Sequence, residues 1–244
     1  METCIVEGNI SVKAVLLGKK RKVHKILVDA KKKDKDTAFI LHKAKEAQVD
    51  IAYVKREEID ALATGKTHGG IIAYCGQRKY QNLEELVNKK QVFLALIEGV
   101  EDPFNFGYVL RTLYAAGCDG VLVPLRNWTT AADVVTRASA GASEYMNIII
   151  ADDMEDTLTY LHQKDITLLC AQRKDAISLY SYTFPERICL AIGGEMRGLS
   201  KIVAQACDQN VFIPYANDFK NAMSASSSAT IFAFELLRQR MIKK

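Results

Sequence analysis

The residues of this chain best suited to chemistry fall in three short segments. The first, EGVEDPFNFGYVLRT at 98–112, holds Asn105, Gly107 and Arg111. Its Asp102-Pro103 pair fits a helix start, with Asp as cap and Pro at the first helical position. An arginine one and a half turns inside that helix can point back toward the preceding strand, and its planar fork of donors suits a phosphate or a hydroxyl. The second, GGEMRGL at 193–199, sets three glycines around Glu195. Missing side chains leave backbone N–H and C=O groups open to a ligand. It is not G-x-G-x-x-G, and a helix follows only after Ser200. The third, FIPYANDFKNAMSASSSATIFAFELL at 212–237, is a polar loop leading through Ser224, Ser226, Ser227 and Ser228 into a long helix. Each segment also has a plainer reading: an ordinary surface arginine, a tight turn needing positive φ beside a solvated Glu195, and serines that cap a helix. Spacing alone leaves both readings open. A fourth stretch, TRASAGASE at 136–144, ends a helix in small residues, which close helix–sheet packing explains without function. The six cysteines form no C-x-x-C pair and the four histidines are scattered, so no metal site is expected and the thiols should be reduced and mostly buried.

The surrounding pattern says what must hold these segments. Val92–Ile97 is a continuous apolar run, the mark of a strand buried on both faces. Similar runs follow at Val121–Val123, Ile148–Ile150, Ile166–Leu169, Ile188–Ile192 and Val211–Ile213. Helical patterns lie at Tyr108–Ala116, Ala131–Ala138, Met154–His162, Lys201–Cys207 and Ser226–Met241. The alternation predicts a mostly parallel sheet covered by helices, with ligands at the carboxyl ends of its strands. The N-terminal part reads as a small α/β/α domain: helix Val6–Leu17 closed by Gly18, strand Val23–Val28, helix Thr37–Ala47 with Phe39, Ile40, Ala44 and Ala47 on one stripe, strand Ile51–Val54, helix Glu57–Ala63 and strand Ile71–Tyr74. The polar stretch after Gly76 reads as a linker, with a helical turn at Leu83–Val87. The expected division is 1–76, a linker at 77–91, and 92–244.

At 244 residues and 49% hydrophobic content the chain can bury a substantial core and is not a disordered protein. No apolar run approaches the roughly 20 residues of a membrane helix. Met1–Asn9 lacks the apolar core of a secretory signal, so the cytoplasm is the default expectation. Charge is uneven: residues 13–45 carry twelve Lys or Arg against three Asp, while the whole chain is only +4. A basic face confined to one end is the footprint of a polyanion such as RNA or DNA, or a lysine-rich solvated surface.

Taken in order, the three segments resemble the three motifs of the SpoU/TrmH family of RNA ribose methyltransferases, within the SPOUT superclass. The first resembles N-x-G-x-x-x-R, met by Asn105, Gly107 and Arg111. The second resembles G-x-E-x-x-G, met by Gly193, Glu195 and Gly198. The third begins I-P, met by Ile213 and Pro214, but departs from S-L-N-V-S: Ser224 stands where the family has Asn, and Ser226 is retained. SAGASE resembles the family's intervening segment. EGNISVKAVL and THGGIIAYC look like the substrate-binding domain of the branch acting on large-subunit ribosomal RNA, a domain similar to kink-turn-binding ribosomal proteins.

The resemblance implies an α/β fold whose C-terminal sheet carries a trefoil knot, a homodimer with active sites near its interface, and S-adenosylmethionine as cofactor. It implies that Gly193, Ile213 and Met223, with Gly194, Gly198 and Pro214 in the same loops, hold the cofactor. Arg111 is implied as the catalytic residue, oriented by Asn105 and Glu195, with Ser226 on the ribose or the arginine. The implied substrate is ribosomal RNA before transfer RNA. The alternatives are a tRNA ribose methyltransferase, a base-methylating relative, and an inactive RNA-binding relative.

Overall fold

The computed structural model describes residues 4–65, 67–125 and 131–242. The reading of Met1–Asn9 thus falls partly on residues 1–3, outside the described residues. Its elements in chain order are β1 (Cys4–Glu7), α1 (Asn9–Gly18), β2 (Arg21–Asp29), α2 (Lys35–Glu46), β3 (Asp50–Val54), α3 (Arg56–Leu62), β4 (Ile71–Arg78), α4 (Glu84–Val87), β5 (Val92–Glu98), α5 (Pro103–Ala115), β6 (Gly120–Pro124), α6 (Ala132–Ala138), β7 (Ile148–Ala151), α7 (Met154–Gln163), β8 (Thr167–Ala171), β9 (Ala176–Ser178), β10 (Arg187–Gly193), α8 (Lys201–Ala206), β11 (Gln209–Phe212) and α9 (Ala225–Ile242). They form two compact units, Met1–Lys79 with Asn127–Tyr145, and Tyr80–Arg126 with Met146–Lys244. The second unit holds the expected 92–244 part without the excursion between β6 and β7, and it also takes in residues 80–91, which read as linker but whose Leu83, Leu86 and Val87 join its core.

The first unit is built on a four-stranded sheet of order β1-β4-β2-β3. Only the β2·β3 pair is parallel. Alternate residues of β2 and β4 face opposite sides: Ile26, Val28, Ile71 and Ala73 join Val12, Val15, Ile40 and Ala44, while Leu27 and Ile72 join Ile59. Period-2 alternation with both faces buried gives the α/β/α layering. The N-terminal helix begins later than its apolar pattern suggests. Val6 belongs to β1, whose partner β4 lies far away in sequence, and the chain turns at Gly8 (φ 84°). Ile10, an apolar residue of that helix, is exposed. Gly18 is the last helical residue, and Lys19 takes the left-handed conformation (φ 56°). Gly18 is needed for space, because a Cβ there would run into the Glu144 carbonyl. On α2 the buried stripe narrows to Thr37, Ile40 and Ala44. Phe39 is exposed beneath the Lys13 ammonium, 4.8 Å from the ring centroid. Strand β4 runs on to Arg78 because its polar end pairs with the start of β2 across a bulge.

The second unit holds a seven-stranded sheet of order β7-β6-β5-β10-β8-β11-β9, parallel at every pairing. One face packs Leu94, Leu96, Cys189 and Ala191 against Leu158 and Leu161 of α7 and Val203 of α8. Helices α5 and α9 pack together, and α9 lies against β10. This two-sided cover is what the continuous apolar runs require. The short β9, which carries little apolar signal, was not expected. Because β10 inserts between β5 and β8, the chain reverses its direction of travel across the sheet there. Such a switch point brings two loops side by side at the carboxyl ends of neighbouring strands.

Candidate active site

The loops after β5 and β10 are locked together by backbone. Gly193 lies opposite Glu98 in register. The Gly194 amide donates to the Glu98 carbonyl (2.7 Å), and the Ser200 amide donates to the Glu98 carboxylate (2.7 Å). A Cβ on Gly194 would collide with the Gly99 carbonyl, and one on Gly193 with the backbone of Gly198 and Leu199. Gly198 supplies the turn, at φ 65°. GGEMRGL is thus both a turn and a close approach of two chains, and only glycine fits at 193 and 194.

Motif one starts as its residues suggest. The Asp102 carboxylate accepts from the Phe104 and Asn105 amides (3.2 and 3.3 Å), with Pro103 opening α5. The serine cluster caps α9. The Ser224 hydroxyl oxygen accepts from the Ser227 amide (3.1 Å) and lies 3.0 Å from the Ser226 hydroxyl. Ser and Asn are comparable caps, so the departure at 224 preserves the start of the helix. Glu195 is not merely solvated: its carboxylate accepts from the Ala225 amide (3.3 Å) at the positive end of α9.

Three cavities of about 320, 240 and 310 Å³ surround these loops. Asn105, Gly194 and Glu195 line the first, together with Gly99, Asp102 and Arg197. Ile213 and Met223 line the second, with Gln172, Arg173, Tyr215 and Phe232. Arg111 and Ser226 line the third, with Tyr108, Thr112 and Phe234. Gly193, the last residue of β10, and Pro214, in the loop after β11, are half-buried. The expected arrangement of Arg111 held by Asn105 and Glu195 is not formed within this chain. Six residues along a helix place two side chains about 120° apart around the axis and about 9 Å along it, so Asn105 and Arg111 face different cavities. Glu195 is engaged at Ala225. Arg111 is exposed and makes no hydrogen bond or ion pair among the described residues.

Two features escaped the sequence reading because their partners are distant in the chain. In the first unit, Glu144 of the SAGASE segment is 1% exposed and accepts from Arg21 (3.2 Å) and Arg78 (3.4 Å). Arg21 is therefore an internal counter-charge, not part of the exposed basic face. In the second, Arg173 donates to the carbonyls of Phe219, Lys220 and Asn221. Five of the six thiols are buried and Cys207 is half-buried; all are free. Burial pushes the Cys118 thiol up to about 12, which keeps it unreactive. Among the described residues no cluster of three His, Cys, Asp or Glu could hold a metal, and no helix is long and apolar enough to cross a membrane.

An open parallel sheet with glycine-bearing loops and crevices at its switch point defines an α/β ligand-binding enzyme. The chain belongs to the SpoU rRNA methylase family, which its residues 91–234 match, and is therefore an RNA methyltransferase. Residues 5–81 match the domain family described as RNA 2′-O ribose methyltransferase substrate binding. A Staphylococcus aureus (strain COL) protein assigned to the TrmH family of tRNA/rRNA methyltransferases is 27% identical, over 98% of both chains. The AdoMet-bound rRNA methyltransferase from Sinorhizobium meliloti shares the fold at TM-score 0.80 and 18% identity, over 97% of this chain and 87% of that one. The TrmH/SpoU tRNA-modifying enzyme of A. aeolicus aligns at TM-score 0.56 and 18% identity, over 66% of this chain and 83% of its own.

Proposed function

We propose that this enzyme transfers a methyl group from S-adenosylmethionine to a ribose 2′-hydroxyl of structured RNA, with ribosomal RNA as substrate. The observation that carries the reading is the crevice at the carboxyl ends of β8 and β11, lined by Ile213 and Met223, in the parallel sheet whose neighbouring β10 ends in the glycine-bearing turn. The cofactor fits what is there. Ile213, Met223 and Phe232 give the crevice an apolar wall, and the buried Gln172 amide nitrogen has no partner among the described residues. When bound, the cofactor supplies a methyl already activated by a positive sulfur.

The chain's own residues then bind and align. Arg111, through its planar fork of donors, binds a neighbouring phosphate and polarises the hydroxyl, whose proton is lost late or through that phosphate. Alignment alone can supply much of the acceleration. Arg111 is exposed beside Tyr108 and Phe234, which are exposed too. That supports completion of the site by a second copy in a homodimer, where Asn105, Glu195 and Ser226 take up their orienting roles. The same reading includes a trefoil knot formed by the loops after β10 and β11, and a cytoplasmic location. It assigns 1–76 to RNA binding, 77–91 to a linker and 92–244 to methyl transfer. Ribosomal RNA is favoured because the rRNA methyltransferase above aligns with nearly the whole chain, whereas the tRNA-modifying enzyme aligns with two thirds. An inactive relative is disfavoured by Ser224, which keeps the cap an Asn would make.

The test is methyl transfer from labelled S-adenosylmethionine to total RNA, followed by alkaline hydrolysis. Label in alkali-resistant dinucleotides from ribosomal RNA is expected, since a 2′-O-methyl blocks cleavage. Label in alkali-labile nucleotides would make this a base methyltransferase, and no transfer would make it an RNA-binding relative.

A further inference from the structure

One wall of the 240 Å³ crevice is a segment with no secondary structure, the loop from Ile213 to Met223 between β11 and α9. Residues 216–222 are exposed, so packing into a core does not hold them. Within the loop, the Phe219 amide donates to the Asn217 carbonyl (2.8 Å) and the Met223 amide to the Tyr215 hydroxyl (3.1 Å). An open loop of this length pays backbone entropy at every residue it orders. The remaining restraint comes from a single side chain on a different strand end.

Arg173 leaves the carboxyl end of β8 and reaches forward 46–48 residues in sequence. One terminal nitrogen donates to the Phe219 and Lys220 carbonyls (3.3 Å each), the other to the Asn221 carbonyl (3.4 Å). Its guanidinium also lies 4.2 Å from the centroid of the Tyr215 ring, and Tyr215 sits 6.1 Å from Phe219. The loop is thus gripped at its start by stacking and at its far side by three carbonyls. Only a planar, multi-donor cation can do both at once; an ammonium has neither the fork nor the stacking face. Tyr215 passes the restraint on, since its hydroxyl fixes the amide of Met223, a crevice residue.

We propose that Arg173 is a positioning residue for cofactor binding: by clamping the 215–223 loop it preforms the wall of the crevice that takes S-adenosylmethionine. The proposal rests on the reading of that crevice as the cofactor site. A preformed wall removes ordering cost from binding, so its loss should appear in affinity and KM, not in kcat.

The full-length chain and its Arg173→Ala, Arg173→Lys and Tyr215→Ala variants provide the test. Without cofactor, trypsin should cut after Lys220 at least fivefold faster in Arg173→Ala and in Tyr215→Ala than in wild type, read by mass spectrometry of the fragments. Calorimetry with S-adenosylmethionine should show affinity falling at least tenfold in Arg173→Ala, with Arg173→Lys recovering less than threefold of it. The double variant should be little worse than either single one, because both act through the same loop. KM for the cofactor should rise with Kd while kcat stays within threefold, and the melting temperature should be unchanged. Unaltered cleavage after Lys220, or full recovery by lysine, would overturn the clamp. Wild type that fails to bind S-adenosylmethionine would instead overturn the reading of the crevice, and the proposal with it.

Discussion

Replacing Glu144 by Gln should unfold the first unit under conditions where the wild type is stable. The Glu144 side chain is 1% exposed, and the side chains of Arg21 and Arg78 that meet it are 7% and 6% exposed. Arg21 places its Nε across both carboxylate oxygens (3.3 and 3.2 Å), Arg78 adds a contact at 3.4 Å, and the Thr136 hydroxyl another at 3.4 Å. Glutamine keeps the shape but leaves two buried guanidiniums around a neutral amide. Removing one partner of a buried ion pair costs about 3–5 kcal/mol, because the remaining charge stays desolvated. That is a large share of the roughly 5–15 kcal/mol by which a domain is stable. At about 4–8 °C per kcal/mol for a unit of this size, the melting temperature should fall by at least about 12 °C, followed by circular dichroism. Replacing Arg21, Arg78 and Glu144 together by Met should do much less harm, since no uncompensated charge remains. A Glu144→Gln protein melting within about 3 °C of wild type would refute the assignment of Glu144 as the counter-charge of both arginines.

Four further outcomes follow from the same structure. Arg111→Lys should keep cofactor binding and most RNA affinity but lose at least about a hundredfold in single-turnover methyl transfer, roughly 2.7 kcal/mol of transition-state stabilisation; turnover within a few-fold of wild type would remove Arg111 from the chemistry. Ser224→Asn, which exchanges one good cap for another, should stay within about tenfold in activity, or about 1.4 kcal/mol, whereas Ser226→Ala should cost more; an inert wild type revived by Asn would contradict this. Neutralising Lys19, Lys22, Lys31 and Lys33, all exposed, should weaken RNA binding and flatten its salt dependence without changing cofactor affinity; an unchanged slope would mark these lysines as solvated surface. The hydrogen bond from Lys32, with those from the Thr37 amide and hydroxyl, holds the Asp34 carboxyl well below its usual value of 3.8. Its contribution is therefore present above the unfolded value and lost as pH falls through the folded one. An Asp34→Ala variant should melt below wild type at pH 7, and the gap should close only in strong acid; a gap already closed at pH 5 would contradict the depressed value.

The parts of this protein legible in its sequence are those governed by local rules. Continuous apolar runs marked the strands of the parallel sheet because burial on both faces leaves no polar positions, and each run coincides with a strand to within a few residues. Asp102-Pro103 marked the start of α5 because capping is settled within one turn. The motif residues were picked out by resemblance to the family, since spacing alone left their plainer readings open, and the basic character of residues 13–45 is simply written in the chain. What only the tertiary structure decided depends on partners far away in sequence. Val6 entered a strand because β4 was there to pair with it. Gly18, Gly193 and Gly194 are glycines because another backbone passes where a Cβ would be, and no local pattern reports that approach. Arg21, counted among the basic surface residues, was drawn inside by Glu144, 123 residues on. Arg173 found its acceptors on a loop 46–48 residues away. Helical geometry sent Asn105 and Arg111 to different cavities although they share one motif. Local propensity marks where most elements lie, but the strand that claims Val6, the charge a side chain meets and the space it is allowed are set by chain segments that only folding brings together.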